Sequence, residues 1–231
     1  MASLEKLQKA GMKSFVLDFR GNGGGLLQEA VDIADEFLSD NKLIVYTEGA
    51  NSKRYDFVCK RPGLFETGKL TVLIDETSAS ASEVLAGALQ DWDRATIIGR
   101  RSFGKGLVQQ QFGLTGGSAV RLTIARYFTP LGRNIQKPYA VGKEKYDEEL
   151  MNRYHNGVLD KADSSVLKGK KFKTPAGRIL YGGGGITPDI IVPLASSLQD
   201  TLIMQLYLSN TLSNFVYALY KNNRVYFNSF K

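Results

Sequence analysis

The chain has 231 residues, of which 43% are hydrophobic, and this favours one large domain with a single core over two smaller domains. The formal net charge is +7, but Lys and Arg are scattered among Asp and Glu without a stripe of aromatic and basic side chains, which argues against nucleic-acid binding. One Cys and one His exclude an internal disulfide and do not indicate a zinc site. Residues 1–13 are polar and charged, so the sequence shows no signal peptide.

Predicted strands and helices alternate over the first hundred residues. Residues 3–11 predict a helix with Gly11 as its C-terminal stop, because glycine tolerates the left-handed conformation that ends many helices. Apolar residues at helical spacing or in short buried runs mark the elements that follow. The predicted helices are 26–38 and 83–92, the predicted strands are 14–19, 42–47, 70–75 and 95–99, and residues 50–69 favour a hairpin. This alternation is typical of parallel βαβ units and of an α/β fold.

The second half of the chain predicts further strands, at residues 108–114, 118–128 and 177–193. Between them, residues 140–174 are polar and charged, which favours an insertion or a flexible loop over a part of the core. Residues 201–220 are long and apolar enough to consider as a membrane span. Polar residues interrupt them, however, and the apolar ones recur at helical spacing, so we expect an amphipathic packing helix.

The serine-containing segment at residues 74–92 places a buried strand, a run of small residues and a helix in succession. Ser80 falls at the start of that helix, where backbone N–H groups and the helix dipole favour negative charge, as a nucleophile requires. Ala79 and Ala81 leave room for a substrate backbone. The alternative is structural, because Ser80 and Glu83 fit a capping box, and this segment by itself favours capping over catalysis.

Lys105 lies between Gly104 and Gly106, and flanking glycines allow tight turns and the close approach of another segment. A lysine can replace histidine as the base for a serine only if its amine is neutral, a state that desolvation or neighbouring positive charge favours. Considered alone, a single lysine in a loop is better explained as a surface residue.

The glycine-rich turn GNGGG at residues 21–25 joins a predicted strand to a predicted helix. Inward-pointing N–H groups in such a turn can form an oxyanion hole or a phosphate cradle. The spacing matches neither GxGxxG nor the P-loop pattern, so a nucleotide site is not indicated. A simple tight connection between the two elements stays an equal alternative.

His155 is the single histidine and lies in the polar excursion, far in sequence from Ser80. A Ser-His-Asp triad would have to use it. A nucleophile at Ser80 is therefore expected to need a base other than histidine, although the sequence leaves the spatial position of His155 open.

The glycine, serine and lysine segments belong to a set of six sequence blocks that extend from about residue 5 to residue 193. The blocks are LDFRGNGGG at 17–25, DETSASASE at 75–83, GALQD at 87–91, GRRSFGKGLVQ at 99–109, ARYFTPLGRNIQ at 125–136 and GGITPDIIVP at 184–193. In this order they resemble the carboxyl-terminal processing peptidases, also called tail-specific proteases, and are most similar to the Bacteroidetes type.

This resemblance implies a serine endopeptidase with a ClpP/crotonase-like fold, a curved, parallel-rich sheet flanked by helices. It implies Ser80 as the nucleophile and Lys105, 25 positions further on, as the general base. Gln109, four positions after the lysine, would help to hold it. By the same resemblance the substrates are protein C-terminal tails with small or apolar ends, cleaved through an acyl-enzyme without a metal or cofactor.

The resemblance also implies an oxyanion hole formed by the backbone N–H groups of Gly24 and Ala81, with Gly25 as the rival of Gly24. It implies a periplasmic or other extracytoplasmic location and leaves homo-oligomer formation open. The expected organisation is a catalytic core at 1–193, N-terminally incomplete, and a C-terminal helical extension at 194–231.

The family usually has a PDZ domain and a first core strand before the segment with which this chain begins. Neither is recognisable in this sequence. We therefore expect weak activity for this chain. One alternative is an inactive or substrate-binding member of the family. A less favoured alternative is a crotonase-like enzyme acting on acyl-CoA, against which the 25-residue spacing of Ser80 and Lys105 argues.

Overall fold

The computed structural model describes residues 2–39, 41–139, 142–155, 169–194 and 209–228. The helices are α1 (Ala2–Lys9), α2 (Leu27–Asp35), α3 (Ala81–Asp91), α4 (Lys143–His155), α5 (Thr211–Asn222) and α6 (Arg224–Phe227). The strands are β1 (Ser14–Asp18), β2 (Leu43–Gly49), β3 (Ser52–Val58), β4 (Lys69–Ile74), β5 (Thr96–Gly99), β6 (Leu107–Gly113), β7 (Ala119–Phe128), β8 (Lys171–Lys173), β9 (Ile179–Tyr181) and β10 (Ile190–Ile191). The helices and strands predicted for the first hundred residues are present, with ends shifted by a few positions.

Four parallel strands form the first sheet, in the order β1-β4-β5-β10. Parallel neighbours need crossover connections, and here the connections contain α2 between β1 and β4 and α3 between β4 and β5. The two helices pack against each other. This confirms the predicted α/β class, with a parallel-rich sheet flanked by helices.

Four antiparallel strands form a second sheet, in the order β3-β2-β7-β6. The hairpin predicted within residues 50–69 is wrong in its bounds: that range contributes only β3, which pairs with β2, so the hairpin extends from Leu43 to Val58. Strands β6 and β7 form a longer hairpin that places Gln109 opposite Thr123. The ring of Tyr46 on β2 stacks on Phe128 of β7 with centroids 4.9 Å apart, which ties the two hairpins together. Strands β8 and β9 pair with each other.

Helix α3 is the centre of the core, and all 11 of its residues are buried. Small side chains let other elements approach it closely: a Cβ on Gly87 would lie 2.8 Å from Thr129 Cγ2 and 3.0 Å from Ile186 Cδ1. Each fully buried aliphatic side chain contributes roughly 1.5–3 kcal/mol. Those in the core cluster with α3 include Val31, Ile44, Val45, Val72, Ile74 and Ile97. The packing holds α3 rigidly, and with it the segment that leads into its N-terminus.

The carboxyl ends of three neighbouring parallel strands carry the segments that the sequence singled out. After β1 comes the glycine turn (20–25), after β4 the serine turn (75–80) and after β5 the lysine loop (100–106). Because the strands run in parallel, their carboxyl ends lie at one edge of the sheet, the usual place for sites in α/β proteins. The topology thus gathers three segments that are far apart in sequence.

The polar excursion contains a helix that the sequence did not predict. Helix α4 occupies residues for which an insertion or flexible loop was expected, and its Arg153 is buried. A helix that docks through charged side chains has no apolar stripe, so hydrophobic periodicity gives no sign of it. Residues 156–168 of the excursion lie outside the described residues.

Helix α5 has no buried residue, although a packing helix was expected in this region. Phe215 and Tyr217 are among its exposed apolar side chains, and residues 201–208 lie outside the described residues. Within the described ranges, no helix is both long and apolar enough to cross a membrane. The division into a core at 1–193 and an extension at 194–231 stays a prediction.

Candidate active site

Two of the three serines at the start of α3 are fixed by buried hydrogen bonds. Ser78 is fully buried, and its Oγ donates to the carbonyl oxygen of Phe19 at 2.7 Å, which joins the serine turn to the end of β1. Ser82 is also buried, and its Oγ donates to the carbonyl oxygen of Asn22 at 3.2 Å. Ser80 is half-buried. It is therefore the most accessible of the three serines.

The backbone of Ser80 is strained. Its φ of 56° and ψ of −116° fall in a region that residues with a Cβ rarely adopt, at a cost of about 1–3 kcal/mol. Ser80 immediately precedes Ala81, the first residue of α3. A strained serine between a strand and a helix has the geometry of a nucleophile elbow, which exposes the hydroxyl at the helix N-terminus.

The carboxylate of Glu83 connects the serine turn to the lysine loop. Its Oε2 accepts hydrogen bonds from the backbone N–H groups of Ser80 and Lys105, both at 2.8 Å. Its Oε1 accepts from the N–H of Gly104 at 2.7 Å and from the hydroxyl of Ser102. Burial raises the pKa of Glu83, and these hydrogen bonds oppose the rise. The glutamate half of the predicted capping box is present, since Glu83 accepts the Ser80 N–H, and the same carboxylate also holds the lysine loop.

Two glycines allow the lysine loop to pack tightly on both sides of Lys105. Gly104 has a φ of +91°, and a Cβ on it would lie 3.0 Å from Lys137 Cβ. A Cβ on Gly106 would lie 2.7 Å from the backbone nitrogen of Gln136, whose Oε1 accepts the Gly106 N–H at 2.9 Å. Lys105 is half-buried, and within the described ranges no carboxylate forms an ion pair with its Nζ.

A cleft of about 880 Å³ opens beside the lysine loop. Lys105 and Gln109 both line it. Gln109 is exposed on β6, and its side chain forms no hydrogen bond with Lys105 in the part of the chain that the structure describes. Aromatic and positively charged side chains complete much of the lining: Phe103, Arg126, Lys137, Tyr139 and Tyr146. The predicted lysine and glutamine thus share a cleft without a direct bond.

The glycine turn packs directly against the serine turn at Gly24. Its φ is +92°, and a Cβ there would lie 2.5 Å from the carbonyl oxygen of Ala79 and 2.8 Å from the nitrogen of Ala81. The Gly24 N–H donates to Oδ1 of Asn22 at 2.9 Å. Among the described residues, the N–H groups of Gly25 and Ala81 have no hydrogen-bond partner. In this geometry the N–H groups of Gly25 and Ala81 are free to bind an oxyanion. The N–H of Gly24 could do so only after its hydrogen bond to Asn22 breaks.

Asp75 ties the glycine turn to the serine turn at their bases. Its Oδ2 accepts from the N–H of Gly21, and its Oδ1 accepts from the N–H groups of Thr77 and Ser78, all at 3.0 Å. Burial acts to raise the pKa of Asp75, but its hydrogen bonds outweigh burial and hold the pKa below its ordinary value. The ionised carboxylate therefore fixes both turns at neutral pH.

The site residues predicted from the sequence are brought together to different degrees. The backbones of Ser80 and Lys105 meet at Glu83, but no hydrogen bond joins Ser80 Oγ to Lys105 Nζ in the described residues. Catalytic hydrogen bonds often tighten only when substrate is bound. His155 ends α4, and its side chain lies outside what the structure describes. The described ranges contain no group of three or more His, Cys, Asp or Glu side chains that could hold a metal ion.

Two residues that shape the site were not found from the sequence. Asp75 follows strand β4 and lies two positions before Thr77, and this Asx-turn pattern could have revealed it. Gln136 closes one of the six blocks, but no local pattern indicates that its side chain reaches Gly106, 30 positions away.

A comparison with protein families decides the classification. The profile described as "Peptidase family S41" matches residues 2–144, more than half of the chain. The chain belongs to peptidase family S41. This S41 match includes the glycine, serine and lysine segments, and it confirms the resemblance drawn from the six blocks. The Bacteroidetes assignment stays a prediction.

Several curated proteins similar to this chain are named carboxyl-terminal-processing proteases. One from Picosynechococcus is 43% identical over 145 residues, which are 58% of this chain and 32% of the relative. Another from Bartonella bacilliformis is 44% identical over 163 residues, which are 69% of this chain and 38% of the relative. The chain therefore spans about a third of the length of these curated relatives.

Solved structures show the same S41 fold. The photosystem II D1 C-terminal processing protease is 30% identical with a TM-score of 0.58, over 87% of this chain and 41% of that chain. A protein from Bacteroides fragilis described as an S41 protease has a TM-score of 0.56 over 93% of this chain and 48% of its own. At 13% identity, that second likeness concerns the fold alone.

Proposed function

We propose that this S41 chain is the catalytic part of a serine endopeptidase with a Ser80–Lys105 dyad. The observation that carries the proposal is the acceptor that the two residues share, Oε2 of Glu83. This oxygen atom fixes the strained, accessible Ser80 beside the loop that bears Lys105, at the carboxyl edge of the parallel sheet. The proposed catalytic core is residues 1–193, with 194–231 as its extension.

In the proposed reaction, Ser80 Oγ attacks the carbonyl carbon of a peptide bond while the neutral amine of Lys105 takes the hydroxyl proton. The C–N bond then breaks as Lys105 returns that proton to the leaving amine, which leaves the acyl group as an ester on Ser80. Water, giving a proton to Lys105, attacks the ester, and Ser80 regains its hydroxyl group as the acid product leaves. Gln109, in the same cleft, helps to orient the lysine.

Two backbone N–H groups would hold the oxyanion of each tetrahedral intermediate. Ala81 supplies one, at the N-terminus of α3, where the helix dipole adds to the stabilisation. The glycine turn supplies the other, from Gly24 or Gly25. Gly25 is free in the resting geometry, whereas Gly24 becomes available when Asn22 turns away.

A mainly apolar pocket beside Ala81 supports a substrate with a small or apolar residue before the cleaved bond. Its volume is about 200 Å³. Its apolar lining consists of Phe19, Leu26, Ala30, Ile33, Ala81 and Leu85. Because several curated relatives are named for carboxyl-terminal processing, the proposed substrates are C-terminal tails of proteins.

The proposed location is periplasmic or otherwise extracytoplasmic. The support is the family itself, in which three of the relatives, one from Tetradesmus obliquus and two from Arabidopsis thaliana, are described as chloroplastic. Self-association of the chain is part of the same proposal, since the exposed apolar side chains of α5 give a surface on which it could occur.

Labelling with a fluorophosphonate probe, followed by mass spectrometry, tests the proposed function. We expect one adduct on Ser80, absent from Ser80→Ala. Ser78→Ala is the matched control, because it keeps the nucleophile and loses the hydroxyl contacts of Ser78 with Phe19 and Asp75, each worth about 1 kcal/mol. A folded chain without the adduct would favour an inactive or substrate-binding family member. Saturable binding of acyl-CoA in place of labelling would favour the crotonase-like alternative.

A further inference from the structure

Helix α4 is attached to the backbone of the lysine loop through one buried side chain. The Arg153 guanidinium donates to the carbonyl oxygens of Arg101 at 3.2 Å, Ser102 at 2.8 Å and Phe103 at 3.3 Å. The side chain is 3% exposed. Three successive peptide groups just before Gly104 and Lys105 are thereby held by one planar cation.

Glu149, one helical turn before Arg153, fixes the orientation of that guanidinium. Its carboxylate pairs with Arg153 at 2.7 Å, with Arg101 at 3.0 Å and with Lys137 at 3.3 Å. Burial acts to raise the pKa of Glu149, but the hydrogen bond of Arg153 and the three positive charges outweigh it and lower the pKa. The carboxylate thus stays ionised and keeps the arginine aimed at the loop.

Aromatic packing holds the same part of α4 against the lysine loop. The Nζ of Lys137 lies 4.1 Å from the ring centre of Phe103, in the loop, and 4.1 Å from that of Tyr146, in α4. Lys137 Nζ also donates to the carbonyl oxygen of Tyr146 at 3.0 Å. A cation buried between two rings is attracted to the faces of both rings, and the attraction is stronger when the cation is desolvated.

The lysine loop is therefore held from two sides, by a hydrogen-bond acceptor on its N–H groups and by a donor on its carbonyl groups. The carboxylate of Glu83 binds the N–H groups of Gly104 and Lys105. The guanidinium of Arg153 binds the carbonyl groups of the three residues before them. We propose that Arg153 is a positioning residue that sets the place of Lys105 relative to Ser80. This inference rests on the proposed dyad.

The bonding pattern requires an arginine and not merely a positive charge. The guanidinium is planar, with donors in a rigid fork that can serve several carbonyl groups at once, whereas an ammonium is a point charge on a flexible chain. Arg153→Lys keeps the charge beside the lysine loop but loses the fork. Arg153→Met loses both. Comparing the two variants separates positioning from a simple electrostatic effect on Lys105.

The test uses the full chain and two readouts: the second-order rate of fluorophosphonate labelling at Ser80, and the hydrogen exchange of the amides of residues 104 and 105. Displacement of a catalytic group by about 1 Å can cost up to 100-fold in rate, so we expect a loss of about 10- to 100-fold in Arg153→Met. Exchange at 104 and 105 should accelerate in the same variant. Arg153→Lys should fall between it and the unmodified chain.

The matched control is Asn152→Ala, at an exposed neighbouring position of α4. It should label and exchange like the unmodified chain. Labelling and exchange that stay unchanged in Arg153→Met, or full labelling in Arg153→Lys, would overturn the proposal. If Arg153→Met does not fold, Glu149→Gln is tested instead, because it weakens the ion pair that orients the Arg153 guanidinium. The same slower labelling and faster exchange are expected. If the unmodified chain is not labelled, the proposed function is wrong. Hydrogen exchange of the amides of residues 104 and 105 then tests by itself whether Arg153 positions the lysine loop.

Discussion

Ser80 and Lys105 donate their backbone N–H groups to the same oxygen atom, Oε2 of Glu83, each at 2.8 Å. The two backbone nitrogens are therefore separated by no more than the sum of these two bonds. One buried carboxylate sets the distance between the serine turn and the lysine loop, although the two segments follow different strands.

Glu83→Gln should weaken both the fold and the site. The carboxylate accepts from four donors, and an amide has one acceptor oxygen, so its NH₂ group must face donors that it cannot bind. We expect the free energy of unfolding to fall by about 1–3 kcal/mol in chemical denaturation, with slower labelling of Ser80. Glu5→Gln, on the exposed face of α1, is the control that should change neither.

Ser80→Gly should be more stable than Ser80→Ala. Both variants lose the hydroxyl and with it all labelling, but glycine adopts the observed φ of 56° without the strain that a Cβ imposes. The expected difference in the free energy of unfolding is about 1–3 kcal/mol, measured by urea denaturation. Equal stability of the two variants would show that the backbone of Ser80 is not strained.

Gly24→Ala should disrupt the contact between the glycine and serine turns, whereas Gly23→Ala should not. At Gly24 a Cβ would overlap the carbonyl oxygen of Ala79, and the positive φ adds strain; at Gly23 a Cβ meets nothing within 4 Å. We expect Gly24→Ala to lose about 2 kcal/mol or more of stability and most of its labelling rate. Thermal unfolding and labelling of the two variants side by side measure this, and similar losses in both would contradict it.

Lys105→Met and Lys105→Arg should both lose at least about 100-fold in the labelling rate, since general-base catalysis contributes about 100- to 10,000-fold. Arginine stays protonated and cannot accept the serine proton. Lys171→Met, in exposed β8, serves as the control. Retained labelling in Lys105→Arg would refute the general-base role.

Cys59 should react very slowly with thiol reagents in the native protein. The thiol is buried, and desolvation together with the charge of Asp35 raises its pKa from 9.0 to about 12. The thiolate is the reacting form, so below the ordinary pKa a shift of three units lowers the rate by about 1000-fold. The rate with a disulfide reagent at pH 8, compared between the native chain and the chain unfolded in guanidinium chloride, measures this. Comparable rates would show that Cys59 is accessible.

The sequence by itself determined the order and type of the elements in the first hundred residues. Apolar spacing marked α2, and short buried runs marked β1, β4 and β5, because these patterns arise from local geometry. The capping box at Ser80 and Glu83 and the glycines beside Lys105 could be read in the same way, since their bonds and turns lie within a few residues. The family followed from the six blocks together.

Only the tertiary structure decided which groups meet. Ser78 Oγ bonds to Phe19, Ser82 Oγ bonds to Asn22, and Glu83 also binds the lysine loop. These contacts depend on strands aligned in one parallel sheet. The clearest case is Arg153, which reaches the carbonyl oxygen of Ser102 across 51 positions. Such a bond leaves no periodicity in the sequence, because it is fixed by the distance between folded segments and not by their local pattern.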